Sequence, residues 1–203
     1  LHSSQLTKFV APAVPPKTLN VCGRISEAGS YTLAESVKTG SGTCFVIEAS
    51  NVVFEGRSYT IEGVRGDPAM LPEIGIHVRG QNVTLNDVKV EGFDIGVLLQ
   101  NATRAKLSRV KASRSMTQGL YLNWTSGSVS SDCTFDNNQN TGVLFVRSGN
   151  NTIRDSSFRS NGGYGIYFAD RSTKNTIEDA VFFNNSRGDS SFDDEASKDN
   201  SIT

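Results

Sequence analysis

Acid–base chemistry on a polymer needs a base, an acid and a cation to neutralise developing negative charge. This chain offers few residues for it. It has two histidines, His2 and His77. The best constellation sets His77 beside Asp67, Glu73 and Arg79, with Lys89 or Lys111 to supply a further charge. No pair of carboxylates stands at a position that breaks the local pattern, as a glycosidase would require. A lone histidine is more often a surface residue than a catalyst, so these four are weighed against a reading without catalysis. Oxygen ligands for calcium gather at Asp189, Asp193, Asp194, Glu195 and Asp199. Their order is not that of an EF-hand loop, so a solvated acidic turn is expected and calcium is the sharper alternative. No other cofactor is implied, because the two methionines and two histidines make no soft-ligand site. Arg65-Gly66-Asp67 is an adhesion-type tripeptide of low specificity.

The elements that would position these residues follow from a repeat. Gly96, Gly119, Gly142, Gly165 and Gly188 stand 23 residues apart. Each is followed by an apolar-x-apolar trio, such as Val97/Leu99, Leu120/Leu122 and Val143/Phe145. Period two is the periodicity of strands. Upstream columns keep step, among them Val90, Ala112, Phe135, Phe158 and Phe182. A unit of this length suits one turn of a wide solenoid and is too short for a propeller blade. Stacking such turns makes parallel sheets with like residues about 4.8 Å apart. The pattern predicts ladders of Phe135/Phe158/Phe182, of Phe145/Phe168/Phe192, and of Asn138/Asn161/Asn185.

Alternation then assigns the outward residues. One stripe reads His77, Leu98, Tyr121, Leu144 and Tyr167, with Trp124 nearby. It is expected to stack on sugar rings, or to be covered by the N-terminal arm or another subunit. Arg104, Lys106, Arg109, Lys111 and Arg114 lie in a window without acids, and Lys89 is expected under Lys111. Such a patch suits an acidic polysaccharide or a solvated face. The column Asp87, Arg109, Asp132, Asp155, Asp179 predicts that Arg109 pairs with aspartates of neighbouring turns. The remaining aspartates are expected to bond turn N–H groups, with calcium bridging as the alternative.

Asn151-Thr152-Ile153, Asn175-Thr176-Ile177 and Gly165-Ile166-Tyr167-Phe168 resemble repeats of the right-handed parallel β-helix in the pectate-lyase-like superfamily. Within it the NosD-type, or carbohydrate-binding and sugar-hydrolase, repeat group is the nearest likeness. The opening segment, from Cys22 through Gly29–Leu33 to Cys44, is similar to the first coils of secreted members, especially archaeal ones. The resemblance implies an all-β right-handed parallel β-helix solenoid of about seven coils. It is poor for activity, since that superfamily holds lyases, epimerases and inert modules. No Asp-Pro-His-Glu segment of alginate epimerases is present, nor a face of clustered aspartates like that holding calcium in pectate lyases.

Residues 1–20, with Pro12, Pro15 and Pro16, read as an extended arm carrying Phe9 and Val10; residues 21–203 read as the β-helix, with an insertion at 64–74 and an unfinished final coil. Cys22 and Cys44 stand about one turn apart, within reach of a disulfide, and the resemblance points to the same pairing. Cys133 falls in an interior column and reads as a buried, inert thiol. Sequons for glycosylation occur at Asn82, Asn101, Asn123, Asn150 and Asn184. A net charge of −1 removes the generic electrostatic case for nucleic acid, and no apolar run is long enough for membrane insertion. The expected protein is an extracellular or surface module without catalysis, acting in self-assembly through its end coil and arm, in glycan binding, or both. The alternative is a lyase or epimerase acting on an acidic polysaccharide.

Overall fold

The computed structural model describes residues 15–64, 72–194, 197 and 199–203. Asp67, Glu195, Phe9, Val10 and the Arg65–Asp67 tripeptide lie outside them. Three parallel sheets of nine, seven and eight strands run along the molecule, and each coil gives one short strand to each. One such coil consists of Val129–Ser131, Thr134–Asp136 and Thr141–Val146. Away from the sheet edges, each strand pairs with its counterparts in the coils before and after, as the 23-residue repeat predicts. No helix is long and apolar enough to cross a membrane among the described residues.

The coil turns because single residues between the nine- and seven-stranded sheets take left-handed backbone. Asp132, Asp155 and Asp179 do so at φ 55°, 51° and 48°. Aspartate tolerates this region better than most residues, because its short polar side chain can bond locally. The insertion lies where the chain passes from Thr60–Gly63 to Ile74–Val78. It leaves the register intact, since Phe54 still pairs with Leu85 across the longer spacing. The solenoid also begins inside the segment read as an arm, for Lys17–Leu19 forms the edge strand of the nine-stranded sheet against Tyr31–Leu33.

Side chains pointing inward form one continuous core. The phenylalanine ladders are present: Phe135–Phe158 and Phe158–Phe182 have centroids 5.6 and 4.9 Å apart, and Phe145–Phe168 and Phe168–Phe192 stack in the same way. Two asparagine ladders satisfy the turns. In the expected one, the Asn161 side-chain carbonyl accepts from the backbone N–H and the amide of Asn138, and its own amide donates to Phe135 O and to Asn185. A second runs through Asn151, Asn175 and Asn200 at another corner, with the same bonds. Gly142 is confined by this packing. A Cβ there would stand 2.6 Å from Gly165 O and 2.9 Å from the Asn161 amide nitrogen.

Cys22 and Cys44 form the disulfide. They immediately precede the paired strands Gly23–Ile25 and Phe45–Ile47, so the bond clips the first strand of the eight-stranded sheet to the second. Loop-closure arguments give such a crosslink about 3 kcal/mol. A Cys44→Ser variant is therefore expected to melt at a lower temperature, and hydrogen exchange should show new opening confined to the first coil. Cys133 is buried, and burial pushes its thiol up to about 12. It remains a protonated thiol at neutral pH, which leaves it unreactive.

Candidate functional site

The outward stripe has the expected register. His77, Leu98, Tyr121, Leu144 and Tyr167 lie in one file on the outer face of the eight-stranded sheet, between Val46 and Ser191. Its exposure is not uniform. Leu98 is 7% exposed and packs with Ile74, Ile95 and Tyr121 in a small cluster outside the solenoid interior. His77 is also 7% exposed. Only the later half of the stripe therefore meets solvent.

That half forms a groove of about 400 Å3, walled by Tyr164, Tyr167, Leu144, Asn140, Arg187 and Asp193. The strand Tyr164–Ala169 sets Tyr164 beside Gly188 and Tyr167 beside Ser191, and both rings line the groove. Their rings are 5.6 Å apart and tilted by 34°. Burial pushes the Tyr167 phenol up, and the Asp193 carboxylate and Tyr164 add to this. It stays a neutral hydroxyl that can donate and accept. Asp193 is fixed from below, since both its oxygens accept from the Asp170 N–H at 3.1 and 3.0 Å.

At the adjoining corner, Trp124, Arg147, Asp170 and Arg171 line a second cleft, of about 570 Å3. The Arg147 guanidinium lies over the Trp124 ring at 5.2 Å and pairs with Asp170 at 2.5 Å. Burial pushes the Tyr121 phenol up, opposed by Arg147 and aided by Asp170.

The acid–base candidates are arranged otherwise. The His77 Nε2 is 2.9 Å from the Gln100 side-chain oxygen, and Arg79 Nε stands 3.3 Å from the same nitrogen. Burial holds its pKa down; the Gln100 bond opposes this and the Arg79 charge adds to it. A neutral His77 thus faces Gln100 and Arg79 inside the sheet face, away from the groove. Glu73 is buried, and its carboxylate accepts from the Gly42 N–H at 3.2 Å.

The charged columns also differ from the sequence expectations. Arg109 does not join the aspartates. It donates to Asn86 of the preceding coil at 2.8 Å and to Ser108 at 3.4 Å. Asp132, Asp155 and Asp179 accept no side-chain or turn hydrogen bond among the described residues. They line an open groove with Ser157 and Arg159, since single-residue corners aim them at solvent. Lys89 does stack beside Lys111, but on the seven-stranded sheet, a different face from the tyrosines. Two cations of the window without acids pair with neighbouring coils: Lys111 with Asp136 at 3.5 Å, and Arg114 with Glu91. Asp193 and Asp194 serve as caps for the 170–171 turn rather than facing one another. Asp194 accepts from the N–H groups of Ser197 and Arg171; hydrogen bonding by the Ser197 side chain, then by its N–H and by Arg171, holds its carboxyl below the usual range. Among the described residues no cluster of three or more His, Cys, Asp or Glu side chains is placed to hold a metal ion. Asn82, Asn101, Asn150 and Asn184 occupy exposed left-handed turn positions, whereas Asn123 ends the strand Gln118–Asn123.

The description "right handed beta helix region" fits residues 40–202 as a family model. The chain belongs to the right-handed β-helix family. Solved structures share its winding. The Dettilon tailspike protein gp208 matches with a TM-score of 0.68 and 18% identity, over 89% of this chain and 39% of that one. Pectate lyase Pel9A matches at 0.59 and 12%, over 81% and 56%. The periplasmic alginate epimerase AlgG matches at 0.57 and 15%, over 75% and 35%. At these identities the likeness shows the fold alone, and this β-helix spans about two fifths of the tailspike and a third of the epimerase. No curated protein matches the chain by sequence.

Proposed function

We propose that this β-helix is an extracellular module that binds a polysaccharide along the outer face of its eight-stranded sheet, without transforming it. The groove at Tyr164 and Tyr167 carries the reading. Two tilted aromatic rings, flanked by Arg187, Asp193 and Asn140, offer apolar faces for the C–H side of a sugar and polar groups for its hydroxyls. The open groove suits a polymer that enters and leaves at both ends. The disulfide supports an oxidising, exported setting. That the same fold occurs in a tailspike, a pectate lyase and an alginate epimerase is consistent with carbohydrate recognition. The closed position of His77 supports binding without catalysis.

Titration calorimetry against sodium alginate, sodium polygalacturonate and a neutral mannan tests this. One of them should bind the wild-type chain, and Tyr167→Ala should weaken it about tenfold or more, as loss of a central aromatic anchor does. Binding that survives replacement of both tyrosines would overturn the assignment of the face. Unsaturated products absorbing in the ultraviolet would establish the lyase alternative instead.

A further inference from the structure

The corner cleft contains an aromatic residue at a position where the fold calls for left-handed backbone. Trp124 has φ 54°, and it is the one aromatic residue among the non-glycine positions with left-handed backbone in the described residues. That region is unfavourable for bulky side chains and suits asparagine. The neighbouring coils hold Asn101, Arg147 and Asp170 at the equivalent position, with φ 53°, 49° and 50°, so the angle belongs to the corner and Trp124 is the aromatic placed on it. The strain is not offset by burial, because Trp124 is 56% exposed. Strained residues that the core does not need concentrate where a protein meets its ligand.

The surroundings give the indole a fixed frame. Arg147 lies across the ring and is held in turn by Asp170. Together with Arg171 these groups wall a cleft that combines one aromatic face with guanidinium and carboxylate groups. The cleft shares a wall with the tyrosine groove. Val146 and Ala169 line that groove and immediately precede Arg147 and Asp170, which line this one.

We propose that the Trp124 cleft is a second subsite, holding a pyranose unit of the same glycan that occupies the tyrosine groove; the proposal rests on the glycan reading of that face. The indole takes the C–H face of the sugar. Asp170 accepts from its hydroxyls, and Arg147 and Arg171 donate to them. A glycan that fills both subsites must cross from the sheet face to the corner, so either a chain running obliquely over successive coils or a branch point fits.

Trp124 is the only tryptophan of the chain, so its fluorescence reports on this cleft alone. The wild-type protein is titrated with sodium alginate, sodium polygalacturonate and a neutral mannan, reading emission and calorimetry together. The polymer that binds should shift the emission. Trp124→Asn should lower affinity tenfold or more while leaving the melting temperature unchanged or raised, since asparagine suits the backbone there. If Tyr167→Ala releases the polymer while Trp124→Asn binds it as tightly as wild type and wild-type emission stays constant, the cleft proposal falls and the tyrosine groove stands. A lowered melting temperature with no emission change would mark Trp124 as structural and also overturn the proposal. If none of the three polymers binds, both readings fall.

Discussion

Replacing Asn161 with alanine is expected to destabilise the protein by about 3 kcal/mol or more, since three buried groups lose their partner and each costs about 1–3 kcal/mol. The side chain is fully buried. Its carbonyl accepts from the N–H and the amide of Asn138, and its amide donates to Phe135 O and Asn185. Alanine is too small to return any of these bonds, and water has no open route to the position. The groups left behind belong to two different coils, so the loss is felt on both sides. Asn161→Asp should not rescue, because it keeps the acceptor but loses both donors and buries a charge. Chemical denaturation of the two variants against wild type measures this. A loss below about 1 kcal/mol, the size of one ordinary hydrogen bond, would show the ladder to be incidental.

Phe158→Ala is the second large effect, at about 3–5 kcal/mol for a fully buried aromatic. Phe158 is sandwiched between Phe135 and Phe182, with centroids 5.6 and 4.9 Å away. Its removal takes away two ring contacts at once and leaves a gap that the parallel strands cannot close, because their separation is fixed by backbone hydrogen bonding. Phe158→Leu should recover a large part of the loss by refilling the space. If the two variants unfold alike, cavity formation is not the cause. Stability in a stacked array is close to a sum over neighbouring units, so the same substitution is expected to loosen the coils on either side of residue 158 first.

The winding of the chain was legible because one coil equals one sequence repeat. Phe135, Phe158 and Phe182 announce a stack by type and spacing, and so do Asn138, Asn161 and Asn185. The second asparagine ladder carried a similar signal, since Asn151, Asn175 and Asn200 recur at spacings of 24 and 25 residues. Its slightly longer spacing sits outside the strict 23-residue frame, and Asn151 and Asn175 registered in a family signature instead. Side-chain reach was less legible than register. Arg109 does stand between Asp87 and Asp132 in its column, yet its long side chain reaches Asn86 instead. Likewise the stripe from His77 to Tyr167 was placed on the right face, but sequence periodicity carries no information on what lies over Leu98 and His77. Trp124, Arg147 and Asp170 also recur at the 23-residue spacing, so their column was legible, but the reach of the Arg147 guanidinium across the ring was not.

The asparagine ladders have a direction. The carbonyl of Asn161 serves the N–H of Asn138, and that of Asn185 serves Asn161, so each turn is completed only by a residue lying 23 or 24 positions further along. A ribosome delivers the chain in the opposite sense to this dependence. A nascent coil therefore waits, with its corner amide open, for the next one to emerge.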